Sequence, residues 1–311
     1  MRDLKNKLTS SKNTKNIQTR KGKSFGYQVL GFGAGGVAVS DPIAFDYLVI
    51  AGGGGGDYAS APATYHGGAG GGAGGYRASG PTTPSPTRGS AVPVVGGASY
   101  TITVGGGGSG GVRGVNSVFN YAGCATVTST GGGGANEPNP NKDGGSGAGG
   151  NSNDSKAGGS GNTPPTSPAQ GNVGGAGTDP GLQSGGGGGA GGAGQAGASG
   201  GAAGAGLANS ITGSAVTYAR GGGGGHAGNT GSVGSPGVAG AAGATNKGEG
   251  GNGVIGQSAV VGGAGGSGVV ILQYPNAAAP FVSLSPGANT SASSPGDTQT
   301  ATFTVTGTLS F

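Results

Sequence analysis

The sequence is short of almost everything a packed core uses. Trp is absent, Cys and Met occur once each, aromatics make up 5% and charged residues 8% of the 311 residues. Leu, Ile, Val and Phe together number 46, about 15%, which is below the level of an ordinary packed domain. A conventional hydrophobic core can therefore fill a small part of the chain at most. The single Cys124 excludes an internal disulfide, and within a strand it reads as a small buried hydrophobe rather than a nucleophile. With a net charge of +5, charge repulsion cannot be what shapes the molecule. No apolar run reaches the length of a membrane span, and the charged N-terminus lacks the apolar stretch of a secretory signal.

What the sequence has is 85 glycines. Composition by itself would fit a flexible linker, but the spacing argues otherwise. Glycine recurs every third residue at Gly222, Gly225, Gly228, Gly231, Gly234, Gly237, Gly240 and Gly243, with shorter sets over 185–200, 105–114 and 171–177. Three residues per turn is the repeat of the polyproline II helix, which makes no internal hydrogen bonds and must find partners elsewhere. Glycine at every third position leaves one edge of such a helix bare. A neighbouring helix can then approach closely enough for backbone hydrogen bonds and Cα–H to carbonyl contacts.

Between these tracts lie segments rich in Val, Ile, Tyr, Phe and Thr: "FDYLVIAG" at 45–52, "SYTITVG" at 99–105, "SVFNYAGCATVTSTG" at 117–131, "SAVTYARG" at 214–221 and "SGVVILQYP" at 267–275. Each reads as a strand abutting glycine. No stretch has sustained helical periodicity. The expected fold is mainly β with polyproline II: a small β-sandwich framework carrying a bundle of glycine-rich polyproline II helices, with almost no α-helix.

The succession "YLVIAGGGGG", "GGAGGYR", "YTITVGGGG", "NSVF", "TVTSTGGGG" and "GGSGVVILQYP" resembles the glycine-rich domain of bacteriophage tail-fibre and adhesin proteins. The resemblance covers about residues 45–275. It implies strands sandwiched with stacked polyproline II helices whose connecting loops touch the host surface. The expectation is a non-enzymatic virion protein on the particle exterior, assembled in the host cytoplasm without a secretion signal or membrane insertion. A capsid decoration protein or head fibre anchored by its N-terminal segment predicts the same sequence features, and a bacterial cell-surface or matrix glycine-rich protein is a further alternative.

The ends read as separate pieces. Residues 1–24 hold eight basic residues against Asp3, a balance of +7, and the remainder carries −2. This arm is a solvated tail or a dock onto an acidic surface. Nucleic-acid contact is the weaker reading, since no aromatic is interleaved to stack on bases. Residues 25–44 include Phe25, Tyr27, Val29, Leu30 and Phe32, too apolar for a free tail, and read as an attachment segment for another virion protein. Residues 276–311 read as a linker, "SPGANTSASSPGD", and a terminal strand, "ATFTVTGTLSF".

Chemistry has little to stand on. The "GKS" at 22–24 has Ile17 where a phosphate loop needs glycine. His66 and His226 lack neighbours at metal-ligand spacing. No catalytic, cofactor or metal residue is assigned. Recognition falls instead to the segments that interrupt the glycine pattern, "DYASAPATYH", "YRASGPTTPSPTR", "ANEPNPNKD" and "NTPPTSPAQ". Tyr58, Tyr65, His66, Tyr76 and Arg77 are the candidate contacts with a host glycan or protein, aromatic faces and a guanidinium suiting both. Tyr76 and Arg77 have a competing role as scaffold, packed over bare glycine edges. A homo-oligomer is compatible with all of this.

Overall fold

The computed structural model describes residues 41–57, 67–120, 126–135, 141–152, 156–179, 182–199, 201–226, 239–254 and 261–311. Strands form where β-branched and aromatic residues concentrate, and the two central ones are buried on both faces. In β1 (Ile43–Ile50), Phe45, Tyr47 and Val49 enter one core while Leu48 and Ile50 enter another. In β10 (Val269–Pro275), Val270, Leu272 and Tyr274 alternate in the same way with Val269 and Ile271. This is the period-two division expected of a strand with cores on both sides.

β1 and β10 pair antiparallel, Leu48 opposite Ile271, at the centre of a seven-stranded sheet. Flanking them are β2 (Tyr76–Ser79), β3 (Arg88–Gly89), β4 (Val92–Val94), β12 (Thr290–Ser294) and β13 (Thr298–Phe303). A five-stranded sheet combines β5 (Ser99–Thr103), β6 (Ser117–Asn120), β7 (Val127–Ser129), β11 (Ser283–Ser285) and β14 (Gly307–Ser310). Residues of both sheets share the first core, in which Phe45 stacks on Tyr274 at a ring separation of 4.9 Å. The hairpin β8 (Leu207–Asn209) and β9 (Val216–Tyr218) joins Ile211 in covering the opposite face of β1 and β10. Among the described residues helix is confined to short 3-10 turns, Gly197–Ser199 and Asn276–Phe281.

Several boundaries differ from expectation. "SVFNYAGCATVTSTG" is not one strand but the antiparallel pair β6 and β7, Val118 opposite Thr128, and Cys124 lies outside the described residues. β1 begins two residues early, since Ile43 and Ala44 pair with Val94 and Pro93. The C-terminal segment is not a linker with one strand. It supplies β11 to β14, with β13 alongside β10 and β14 alongside β5. Phe303, Leu309 and Phe311 thereby reach the core, while Val305 turns outward between the two strands.

The glycine tracts leave directly from these strands. Residues 52–57 continue β1, and their hydrogen bonds define the array. Gly52 and Gly55 donate to Val115 and Val112, Gly53 and Gly56 to Gly266 and Gly263, and Gly54 and Asp57 to Gly72 and Ala69, at 2.8 to 3.0 Å. Successive residues thus address three different neighbours and return to the same one every third residue. The carbonyls of the same tract accept from three further tracts: Gly132 and Ala135, Gly108 and Gly111, and Gly251. Three residues per turn is the repeat that polyproline II requires.

Glycine is demanded here by distance. A Cβ on Gly52 would collide with the carbonyl of Gly106, on Gly53 with that of Glu249, and on Gly54 with that of Gly133. Gly222 and Gly225 keep the expected register, donating to Gly71 and Gly68. Gly240 does not continue it, because its φ of 65° places it in a left-handed turn. Gly243 bonds a different tract, at Ala264. Gly228, Gly231, Gly234 and Gly237 lie outside the described residues.

Gly54→Ala is expected to lower stability by about 1–3 kcal/mol, as overpacking with backbone displacement does, in denaturant unfolding. Parent-like unfolding would contradict the close approach. A second expectation concerns pH. Burial pushes the phenols of Tyr218 and Tyr274 above their ordinary value of 10.0. Tyr76 is raised by burial and by Tyr218, against the lowering effect of its bond with Asn209. An acid whose folded pKa is raised contributes stability that is complete below the unfolded value and lost as pH rises through the folded value. The melting temperature should therefore fall above pH 10.0, in step with tyrosinate absorbance. Ionisation of all tyrosines with no change in melting temperature would refute it.

Candidate recognition surface

At the end of the array away from the sheets, tracts that are distant in sequence are tied together by polar groups. Asp57 is 5% exposed, and its Oδ2 accepts from Asn151 Nδ2 at 2.7 Å. Ser184 Oγ donates to the Gly67 carbonyl and accepts from Ser152 N at 3.0 Å. Gly68 N donates to Val254 O at 2.8 Å and Ser184 N to Gly225 O at 3.1 Å. A β-bridge joins Gln183 to His226. Asp57 and Gly67 border residues 58–66, Ser152 borders 153–155, His226 borders 227–238, and Val254 borders 255–260. One bonded layer is thus the root of several chain segments.

Tyr58, Tyr65 and His66 belong to 58–66 and lie outside the described residues. Phe25, Tyr27, Val29, Leu30 and Phe32 lie outside them as well. Asp57, at the start of "DYASAPATYH", is a buried anchor rather than an exposed loop residue, a role sequence reasoning missed. Its polarity signalled exposure, whereas Asn151, 94 residues away, bonds its carboxylate in the folded array.

Tyr76 needs correcting as a contact residue. It is 1% exposed and sits in the second core with Ile211 and Tyr218. Its hydroxyl accepts a hydrogen bond from Asn209 Nδ2 at 2.8 Å. Asn209 Nδ2 also reaches Thr83 Oγ1 at 3.3 Å, and Asn209 Oδ1 accepts from Ile211 N at 2.8 Å. Tyr76 and Asn209 together lock the β8–β9 hairpin to the large sheet. Arg77 is half-buried on β2, opposite Val49, at the strand end of the array and not in the layer bonded around Asp57.

The loop "NTPPTSPAQ" is also built inward. Gln170 is 1% exposed, with Oε1 accepting from Thr130 N at 2.8 Å and Nε2 donating to Pro164 O at 3.2 Å. Asn162 Oδ1 accepts from Thr166 N and from Gln170 N. This segment braces the array against β7. In "ANEPNPNKD", Lys142 is likewise buried, at 1% exposure. Among the described residues no group of three or more His, Cys, Asp or Glu is placed to hold a metal, and no helix is long and apolar enough to cross a membrane.

A model of the glycine-rich domain family matches residues 20–275. The chain belongs to this family. Its match ends at the last residue of β10, so the strands β11 to β14 of this glycine-rich domain lie beyond the matched region and still complete both sheets. No curated protein and no solved structure matches the chain.

Tyr76→Phe removes one acceptor from Asn209 Nδ2 while leaving Thr83 in reach, and is expected to cost about 1 kcal/mol in denaturant unfolding. Any surface-binding activity should be unchanged. Loss of binding at full stability would return Tyr76 to the contact residues.

Proposed function

We propose that this chain is a non-enzymatic phage virion protein, a tail fibre or adhesin, in which the glycine array holds loops out to the host surface. The observation that supports this best is the bonded layer of Asp57, Gly67, Asn151, Ser184, Gly225 and Val254. Rigid roots beneath variable segments are the usual architecture of recognition, because they spare a contact loop part of its ordering cost. The interior of the array is backbone against backbone, so side-chain identity is concentrated at its ends. Residues 1–40, which precede the strand framework, hold the basic arm and the aromatic attachment residues, and serve to join the protein to other virion proteins.

Tyr58 and Tyr65 are the aromatic members of the segment rooted at Asp57 and Gly67, and the proposal assigns them host contact with a glycan or protein. Replacing both with alanine should leave unfolding within about 0.5 kcal/mol of the parent. Adsorption of particles or purified protein to host cells should fall by much more, about 2 kcal/mol or more for each aromatic anchor. Unchanged adsorption, with the protein still decorating capsids, would favour the head-fibre alternative and remove these tyrosines from the contact set.

A further inference from the structure

We infer that the β8–β9 hairpin is a flap: it opens as a unit about Gly206 and Ala219 and uncovers the apolar face of β1 and β10 while the rest of the molecule stays folded. The reason lies in how it is held. Among the described residues its two strands pair with each other alone, Leu207 opposite Tyr218 and Asn209 opposite Val216. Outside that ladder, the backbone of residues 206–218 makes the turn bond from Gly213 N to Ser210 O, and no backbone–backbone hydrogen bond joins it to any other described residue. β1, by contrast, is laddered to β10, β2 and β4.

Side chains do the attaching. Asn209 and Ile211 are buried two residues apart, and Tyr218 is buried on the facing strand, whereas Ala208, Thr212 and Thr217 are exposed. This is the alternation of strands with one face covered. Asn209 is the first latch. Its Nδ2 donates to the Tyr76 hydroxyl at 2.8 Å and to Thr83 Oγ1 at 3.3 Å, and its Oδ1 accepts from Thr82 Oγ1 at 3.2 Å. The second latch lies beyond β8, where the Ile211 carbonyl accepts from Gln273 Nε2 at 3.3 Å and from Ser294 Oγ at 3.1 Å. The core that these latches close contains Leu48 and Ile50 of β1 and Val269 and Ile271 of β10.

The two ends of the hairpin are built as pivots. A Cβ on Gly206 would collide with the Tyr218 carbonyl, so the ends approach each other more closely than a side chain allows. Ala219 has a φ of 54°, in the left-handed region that residues other than glycine disfavour. Both of its backbone groups are held outside the hairpin, its N–H by Lys247 O and its carbonyl by Ala190 N, each at 2.8 Å. The hairpin ladder thus stops, and bonding to the rest of the chain resumes, at one strained residue. A two-stranded hairpin is marginal by itself, and an element whose backbone bonds face solvent opens at lower free energy than central strands do. The motion leaves the layer around Asp57 closed and is independent of host contact.

Native-state amide exchange of the full chain at low denaturant concentrations tests this. The ladder amides of 207–209 and 216–218 should exchange together, faster than those of β1 and β10, and with a weaker denaturant dependence than global unfolding. Asn209→Ala should speed hairpin exchange about tenfold or more, since it removes several hydrogen bonds at once. Leu309→Ala, in the core on the other face of β1, destabilises the closed and open flap alike. It should therefore speed exchange of β1 and β10 by more than about tenfold and leave the hairpin rate unchanged. Uncovering is read separately from Ala78, which is 2% exposed in the core beneath the hairpin. In a Cys124→Ser, Ala78→Cys chain, the new thiol should react with a thiol reagent in step with hairpin exchange. Hairpin amides that share the rate and denaturant dependence of β1, or that respond to Leu309→Ala as β1 does, would overturn the inference. So would a thiol at position 78 that reacts no faster than global unfolding.

Discussion

The structure depends on one constraint: hydrogen bonds between backbones that repeat every third residue and leave no room for a Cβ. Gly52 to Gly56 each face a carbonyl of another tract where a side chain would begin. Each N–H in that tract finds a partner at 2.8 to 3.0 Å. A single such bond contributes about 1 kcal/mol net, yet a buried group left unpaired costs more. The array is therefore cooperative in its polar groups in the way an ordinary core is cooperative in its apolar ones. That is how 46 large aliphatic and Phe residues can suffice for a chain of this length.

Strands and tracts depend on each other. β1 runs straight into residues 52–57, and residues 67–75 run into β2, so pairing Leu48 with Ala78 also sets which glycine of one tract meets which of the next. Gly54 bonding Gly72 is the same register carried onward. The sheets add what glycine cannot: two cores of interlocking side chains on opposite faces of β1 and β10. The C-terminal strands belong to this framework, because β13 covers the edge of β10 and β14 that of β5. Edges left open there would invite pairing with other chains.

Side chains divide along the same lines. Glycine tracts carry almost no side-chain identity along their length, so side-chain variety is concentrated at their ends. At one end the roots are fixed by buried polar groups such as Asp57 and Ser184, which explains polar residues placed deep in an array that needs few side chains.

The sequence by itself determined the ingredients. Period-two strands at "DYLVI" and "VVILQY", glycine every third residue, the absence of sustained helix and the family's order of segments were all legible, because each is a local repeat. What only the tertiary structure decided is which partner each repeat meets. Tyr76 could be read as a contact residue or as scaffold; it is scaffold, buried in a core where Asn209, 133 residues away, bonds its hydroxyl. Asp57 looked like a loop residue and is an anchor because Asn151 reaches it. The run from Gly222 to Gly243 looked continuous in sequence, but Gly240 turns away in a left-handed conformation. The terminal "SASS" looked like linker and pairs as β12 because β13 offers an edge. In a chain where so many residues are glycine, local sequence specifies the turn of the backbone and little else. Burial and contact are set by long-range hydrogen bonds whose partners no local pattern names.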